Sequence, residues 1–102
     1  MACIFCKIVN NELPADVVFQ DEKVIVFKDI NPQAKTHLLV VPKEHIRSID
    51  SVGSEDIMRD LIKVAKEIIQ KNNLKDYQLI FNAGKQQIIK HLHMHLLSDD
   101  KL

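Results

Sequence analysis

The stretch KHLHMHLL, Lys90 to Leu97, places His91, His93 and His95 two residues apart with an apolar residue in every gap. Strict alternation is the period of a β-strand, whose side chains point to opposite faces in turn. The three imidazoles therefore share one face, and Leu92, Met94 and Leu96 share the other, which calls for cover. Upstream, YQLIFNAG (Tyr77 to Gly84) alternates in the same way and reads as a neighbouring strand.

The first half of the chain repeats this signal. KVIVFKDI, Lys23 to Ile30, is rich in β-branched residues, with Ile25, Phe27 and Asp29 on one face and Val24, Val26 and Lys28 on the other. DINPQ turns the chain. THLLVVP then reads as an antiparallel partner with His37, Leu39 and Val41 on one face and Pro42 at its end. Between the two halves, SEDIMRDLIKVAKEIIQKNN changes period. Ile57, Met58, Leu61, Ile62, Ala65, Ile68 and Ile69 recur at helical spacing, with Ser54 as the expected cap and Glu55 and Asp56 suited to the helix dipole. The expected class is α+β, with about five mainly antiparallel strands and one long helix against one face.

At 102 residues with 46% hydrophobic composition, the chain reads as a single domain, 1–102, with a real core. Lys plus Arg and Asp plus Glu number 14 each, so no net basic field would draw nucleic acid or a membrane surface. No apolar run approaches a membrane span, and the opening lacks the pattern of a signal peptide, which together predict a cytoplasmic protein. In that setting Cys3 and Cys6 of CIFC are expected as thiols or metal ligands rather than as a disulfide.

A single metal held by all three alternating histidines is disfavoured, because about 3.3 Å of rise per residue separates His91 and His95 by roughly 13 Å along a strand. Metal bonds of about 2.1 Å cannot span that distance without severe bending. Nucleophilic and acid/base chemistry on an anionic substrate fits better: one neutral imidazole attacks while its neighbours donate hydrogen bonds to the group attacked.

HLHMHLL matches the His-x-His-x-His-x-x pattern of the histidine triad (HIT) superfamily, and DINPQ, THLLVVPK and NAG follow in that family's order. The sequence resembles the family over about nine tenths of its length. The resemblance implies a sheet-and-helix fold that pairs into a homodimer with a ten-stranded sheet. It implies a hydrolase or transferase acting at the α-phosphate of nucleotide conjugates, such as nucleoside phosphoramidates, aminoacyl adenylates or dinucleoside polyphosphates, with a purine nucleotide conjugate as partner. His93 would attack phosphorus to form a covalent nucleotidyl-histidine. His95 and His37 would serve the phosphate oxygens or the leaving group. Asp29 would accept from the ribose, and Ile4, Phe5, Ile8, Phe27, Ile30 and Leu39 would wall the base. Asn82, Gln87 and Ile88 fall where the family approaches the phosphate.

In a subset of relatives, Cys-x-x-Cys joins two histidines around zinc. Here the matching residues are Cys3, Cys6, His45 and His91, a structural site with no cofactor needed for catalysis. The sequence also departs from the family pattern. NAGKQQIIKH is about two residues short between Asn82 and the triad, Gln86 replaces a glycine, Ile88 replaces a polar residue, and the tail SDDKL lacks a glycine pair. Lys85, Lys90 and Gln87 are candidate replacement donors. The altered loop admits a competing reading, a nucleotide-binding or zinc-stabilised interaction module with weak catalysis.

Overall fold

A computed structural model describes residues 3–102. In chain order the elements are α1 (Ile4–Val9), β1 (Val17–Gln20), β2 (Val24–Lys28), β3 (Thr36–Pro42), α2 (Ser54–Lys71), β4 (Tyr77–Phe81), a 3-10 turn (Gly84–Gln86) and β5 (Met94–Ser98). The strands form one sheet in the order β1-β2-β3-β5-β4, with every neighbouring pair antiparallel.

The two faces of the sheet are covered by different elements. Val24 and Val26 of β2, Leu38 and Val40 of β3, and Met94 and Leu96 of β5 pack against Leu61, Val64, Ala65, Ile68 and Ile69 of α2. Leu92 joins this core, as its place in the alternation predicts. The opposite face carries Ile25, Phe27, Leu39 and Val41, closed by Phe5 of α1. Cover on both faces explains why β3 is buried at every position and why β2 reads as a continuous apolar run rather than a half-wet strand.

Helix α2 follows its sequence pattern, with Glu55 and Asp56 in its first turn and Lys71 in its last. Its entry differs from expectation. Gly53, at φ 80°, is the cap, and Ser54 is the first helical residue, its hydroxyl donating to Ile49 O at 2.6 Å. A left-handed residue is needed where the chain turns into the helix, and glycine adopts it without strain. Ile62 stays exposed, and Val64 takes a place in the core that the predicted stripe omitted.

Strand β5 is shorter than predicted. It pairs from Met94 onward, opposite Val40 on one side and Phe81 on the other, so His91 and His93 precede the paired strand. There the chain is held by the 42–47 segment instead, through Leu92 N–H to Ile46 O at 2.6 Å. The alternation of faces survives without the ladder.

Candidate active site

The face under α1 gathers four of the five histidines along two neighbouring strands and the chain leading into one of them. Leu39 stands opposite His95, and His37 opposite Leu97, so His37 and His95 are diagonal neighbours on one face. His37 Nε2 lies 2.9 Å from His95 Nδ1 and 3.4 Å from Asp29 Oδ2. The His93 ring meets that of His95 edge-on at 5.0 Å between centroids. His37 and His93 are both buried.

Backbone groups settle which nitrogens carry protons. The Gln33 N–H donates to His37 Nδ1 at 3.1 Å, so neutral His37 holds its proton on Nε2 and directs it to His95 Nδ1, with Asp29 beside it. Neutral His95 is then protonated on Nε2. His93 Nδ1 lies 2.8 Å from His91 O, and a carbonyl only accepts, so Nδ1 carries the proton and Nε2 keeps its lone pair. Burial holds the His93 pKa below the ordinary imidazole value, against the pull of the His91 carbonyl and Asp29. Burial likewise lowers His95, helped by charge on His93 and His37 and opposed by Asp29. His93 and His95 are therefore both biased toward the neutral form.

Asp29 does two things at once. Its N–H continues the ladder to His37 O at 2.9 Å, and its Oδ1 accepts from Asn31 N–H at 2.8 Å to start the DINPQ turn. The other oxygen remains for His37 or a ligand. Phe5 packs edge-on against Phe27 at 5.5 Å and against His93 at 5.2 Å. Phe5 and Phe27 are both buried, so of the expected base-contacting residues these two form a floor. Ile8 packs on the same cluster and Leu39 belongs to it, whereas Ile4 is half exposed and Ile30 and Ile88 are almost wholly exposed. Asn82 is half-buried just past β4. Gln87 is buried, and its amide donates to Arg47 O at 2.8 Å and Ile89 O at 3.0 Å. It holds the loop and leaves no donor for a ligand.

The expected metal ligands do converge. Cys3, Cys6, His45 and His91 offer atoms within 4.8 Å of one another. His91 Nδ1 is 3.3 Å from Cys3 Sγ, 3.6 Å from Cys6 Sγ and 3.1 Å from His45 Nδ1, and Cys6 Sγ is 3.2 Å from His45 Nδ1. Tetrahedral zinc with two sulfur and two nitrogen ligands has edges of roughly 3.3 to 3.8 Å; the four distances, 3.1 to 3.6 Å, lie within a few tenths of an ångström of that range, and the donor set suits the ion. The tautomer agrees: His91 Nε2 donates to Pro42 O at 2.8 Å, leaving the Nδ1 lone pair on the cluster. Helix α1 supplies the spacing, because residues three apart lie on one side of a helix, and Cys3 caps it by accepting from Cys6 N–H at 3.4 Å. Burial and the neighbouring Cys3 raise the Cys6 pKa, so a cation would have to displace protons to bind.

Asp29, His37 and His95 also lie within 4.8 Å of one another. The proton on His37 Nε2 faces the centre of that group, where a cation would need a lone pair, so the trio acts as a hydrogen-bond chain. Sequence reasoning missed three elements of the site: the Gln33 amide, the Pro42 carbonyl and α1 itself. The only available signal for the first was the four-residue step from Gln33 to His37 after an Asn-Pro turn.

Residues 2–101 match the family described as "Scavenger mRNA decapping enzyme C-term binding". The chain is 39% identical over 100 residues to the purine nucleoside phosphoramidase of Escherichia coli (strain K12), covering 92% of this chain and 84% of that one. It is 41% identical over 101 residues to a 14 kDa zinc-binding protein of Zea mays, covering 92% and 79%. The fold superposes on a HIT family hydrolase from Legionella pneumophila Philadelphia 1 with a TM-score of 0.91 at 40% identity, covering 98% of this chain and 95% of that one. With the His-x-His-x-His stretch running into β5 on the face under α1, the chain belongs to the histidine triad (HIT) superfamily.

Proposed function

We propose that this protein is a nucleotidyl hydrolase or transferase that cleaves the α-phosphate bond of purine nucleotide conjugates, nucleoside phosphoramidates first among them, through a covalent nucleotidyl-histidine on His93. The observation that carries this reading is the bond from His93 Nδ1 to His91 O at 2.8 Å, which leaves the opposite nitrogen unprotonated and fixes its direction. An immobilised neutral imidazole with a free lone pair is a nucleophile ready for phosphorus.

Attack forms the bond from His93 Nε2 to the α-phosphorus and breaks the phosphorus–nitrogen bond, the leaving nitrogen taking up a proton. Water then cleaves the histidine–phosphorus bond. The net reaction consumes one water and gives a nucleoside monophosphate and an amine. His95, protonated on Nε2, donates to a phosphoryl oxygen, and His37 holds it in that tautomer. Asp29 Oδ2 accepts from the ribose, and the base lies over Phe5, Phe27, Ile8 and Leu39 with Ile4 and Ile30 at its margin. Asn82 and Ile88 border the phosphate. Zinc at Cys3, Cys6, His45 and His91 is structural in this reading and takes no part in the chemistry. The name of the Escherichia coli relative supports the phosphoramidate substrate, and that of the Zea mays relative supports the metal.

Mass spectrometry of protein quenched during turnover of adenosine 5′-phosphoramidate should find a nucleotidyl adduct on the peptide containing His93. His93→Ala should lose at least about a thousandfold in kcat while still binding the monophosphate. Activity within about tenfold of the wild type rejects the nucleophile assignment.

A further inference from the structure

The loop between β4 and the triad is short, carries Gln86 where its relatives' pattern has glycine, and exposes an apolar side chain at Ile88. Lys90 spans it. Its ammonium donates to Gly84 O at 2.8 Å and to Gln87 O. Gly84 O also accepts from Gln87 N–H at 3.1 Å, closing the 3-10 turn. Gly84 adopts φ 60°, so the turn itself relies on a residue free of a Cβ. Two carbonyls of the loop thus point onto one cation. Among the described residues, the amides of Ile88 and Ile89 donate to no protein acceptor. Backbone amides without a protein acceptor are free to meet an anion.

We propose that Lys90 is the positioning residue of the phosphate loop. Its ammonium replaces the lost glycine's freedom with a tie that turns the Gly84 and Gln87 carbonyls away from the substrate. Two of its three donors are engaged by the two carbonyls, and the role assigned to it is that tie, exerted through the loop rather than on the phosphate. This inference rests on the functional reading above, in which the loop faces the α-phosphate.

The test measures binding of adenosine monophosphate and of adenosine to wild type, Lys90→Met, Lys90→Arg and Lys85→Met, with amide hydrogen exchange over residues 84–89. Lys85 lies in the same turn and makes no hydrogen bond or ion pair among the described residues, so its variant removes equal charge without the tie. Lys90→Met should weaken the monophosphate by about tenfold or more, leave adenosine unchanged and speed exchange across the loop. Lys90→Arg should recover most of the monophosphate affinity, and Lys85→Met should change it by less than twofold. Equal losses in Lys85→Met and Lys90→Met overturn the proposal in favour of general charge attraction. Unchanged affinity and exchange in Lys90→Met overturn it outright. A wild-type protein that binds the monophosphate no better than adenosine overturns the functional reading, and this inference with it.

Discussion

Three imidazoles are each oriented by a backbone group, His37 by the Gln33 amide, His93 by the His91 carbonyl and His91 by the Pro42 carbonyl, while His95 is set by His37. The spacing of the histidines was legible in the sequence because strand alternation is a local rule. The tautomers were not, since they depend on a carbonyl 49 residues away and on the shape of a turn. They have a consequence for pH. Protonating His95 would place a second proton on Nδ1, against the Nε2 proton of His37 at 2.9 Å, and its burial opposes the charge as well. His95 should therefore remain neutral below pH 6.5, the ordinary imidazole value. Because the unfolded chain takes up that proton first, stability is full above pH 6.5 and declines as pH falls through the window beneath it. Imidazole nitrogen shifts followed by NMR would read the midpoint directly. A value at or above 6.5, or a neutral ring protonated on Nδ1, removes the hydrogen-bond chain from the site.

Among the elements, α1 decides how the site is closed, and it was the hardest to read. Six residues cannot display a helical period, whereas the 18 residues of α2 do so plainly. What did show was CIFC, a spacing that metal-ligand chemistry favours, with His45 and His91 joined to it by the resemblance to the family. Phe5 lies edge-on to both His91 and His93, at 5.7 Å and 5.2 Å, so the helix touches the metal cluster and the nucleophile at once. A cation on Cys3, Cys6, His45 and His91 would clamp α1 to the chain entering β5. Protein purified without chelator should contain up to one zinc per chain by elemental analysis. Cys3→Ser should lose it and destabilise the fold by on the order of 2 kcal/mol or more. Metal-free protein with both thiols freely titratable would leave Cys3 and Cys6 as packing and capping residues. The 3-10 turn and the loop after it were read only as a departure from a pattern. The sequence offered Lys85, Lys90 and Gln87 without distinction, and only the fold separates a tied lysine from a free one.

Across the whole molecule, one chain does not cover all the apolar surface it makes. Leu79 pairs with Leu96 and so shares the α2 face of the sheet, yet it is 38% exposed, and Tyr77 beside it 45%. Both belong to β4, an edge strand that pairs with β5 alone. On α2, Ile62 is 42% exposed. Ile69 turns into the core, which leaves the free stripe of the helix to Ile62 with half-buried Met58. Strand edges and apolar stripes of this kind are normally hidden. We propose that a second copy hides them, α2 against α2 and sheet beside sheet, about a two-fold axis. Sedimentation at micromolar concentration should then give about twice the 11.7 kDa chain mass. Ile62→Asp, which buries a charge only if the surface is an interface, should yield monomer, while Lys63→Asp on the same exposed side of the helix should remain dimeric. A wild-type protein that sediments as a folded monomer and still turns over its substrate would overturn the pairing and leave the chemistry of His93 where it stands, because every group assigned to that chemistry comes from one chain.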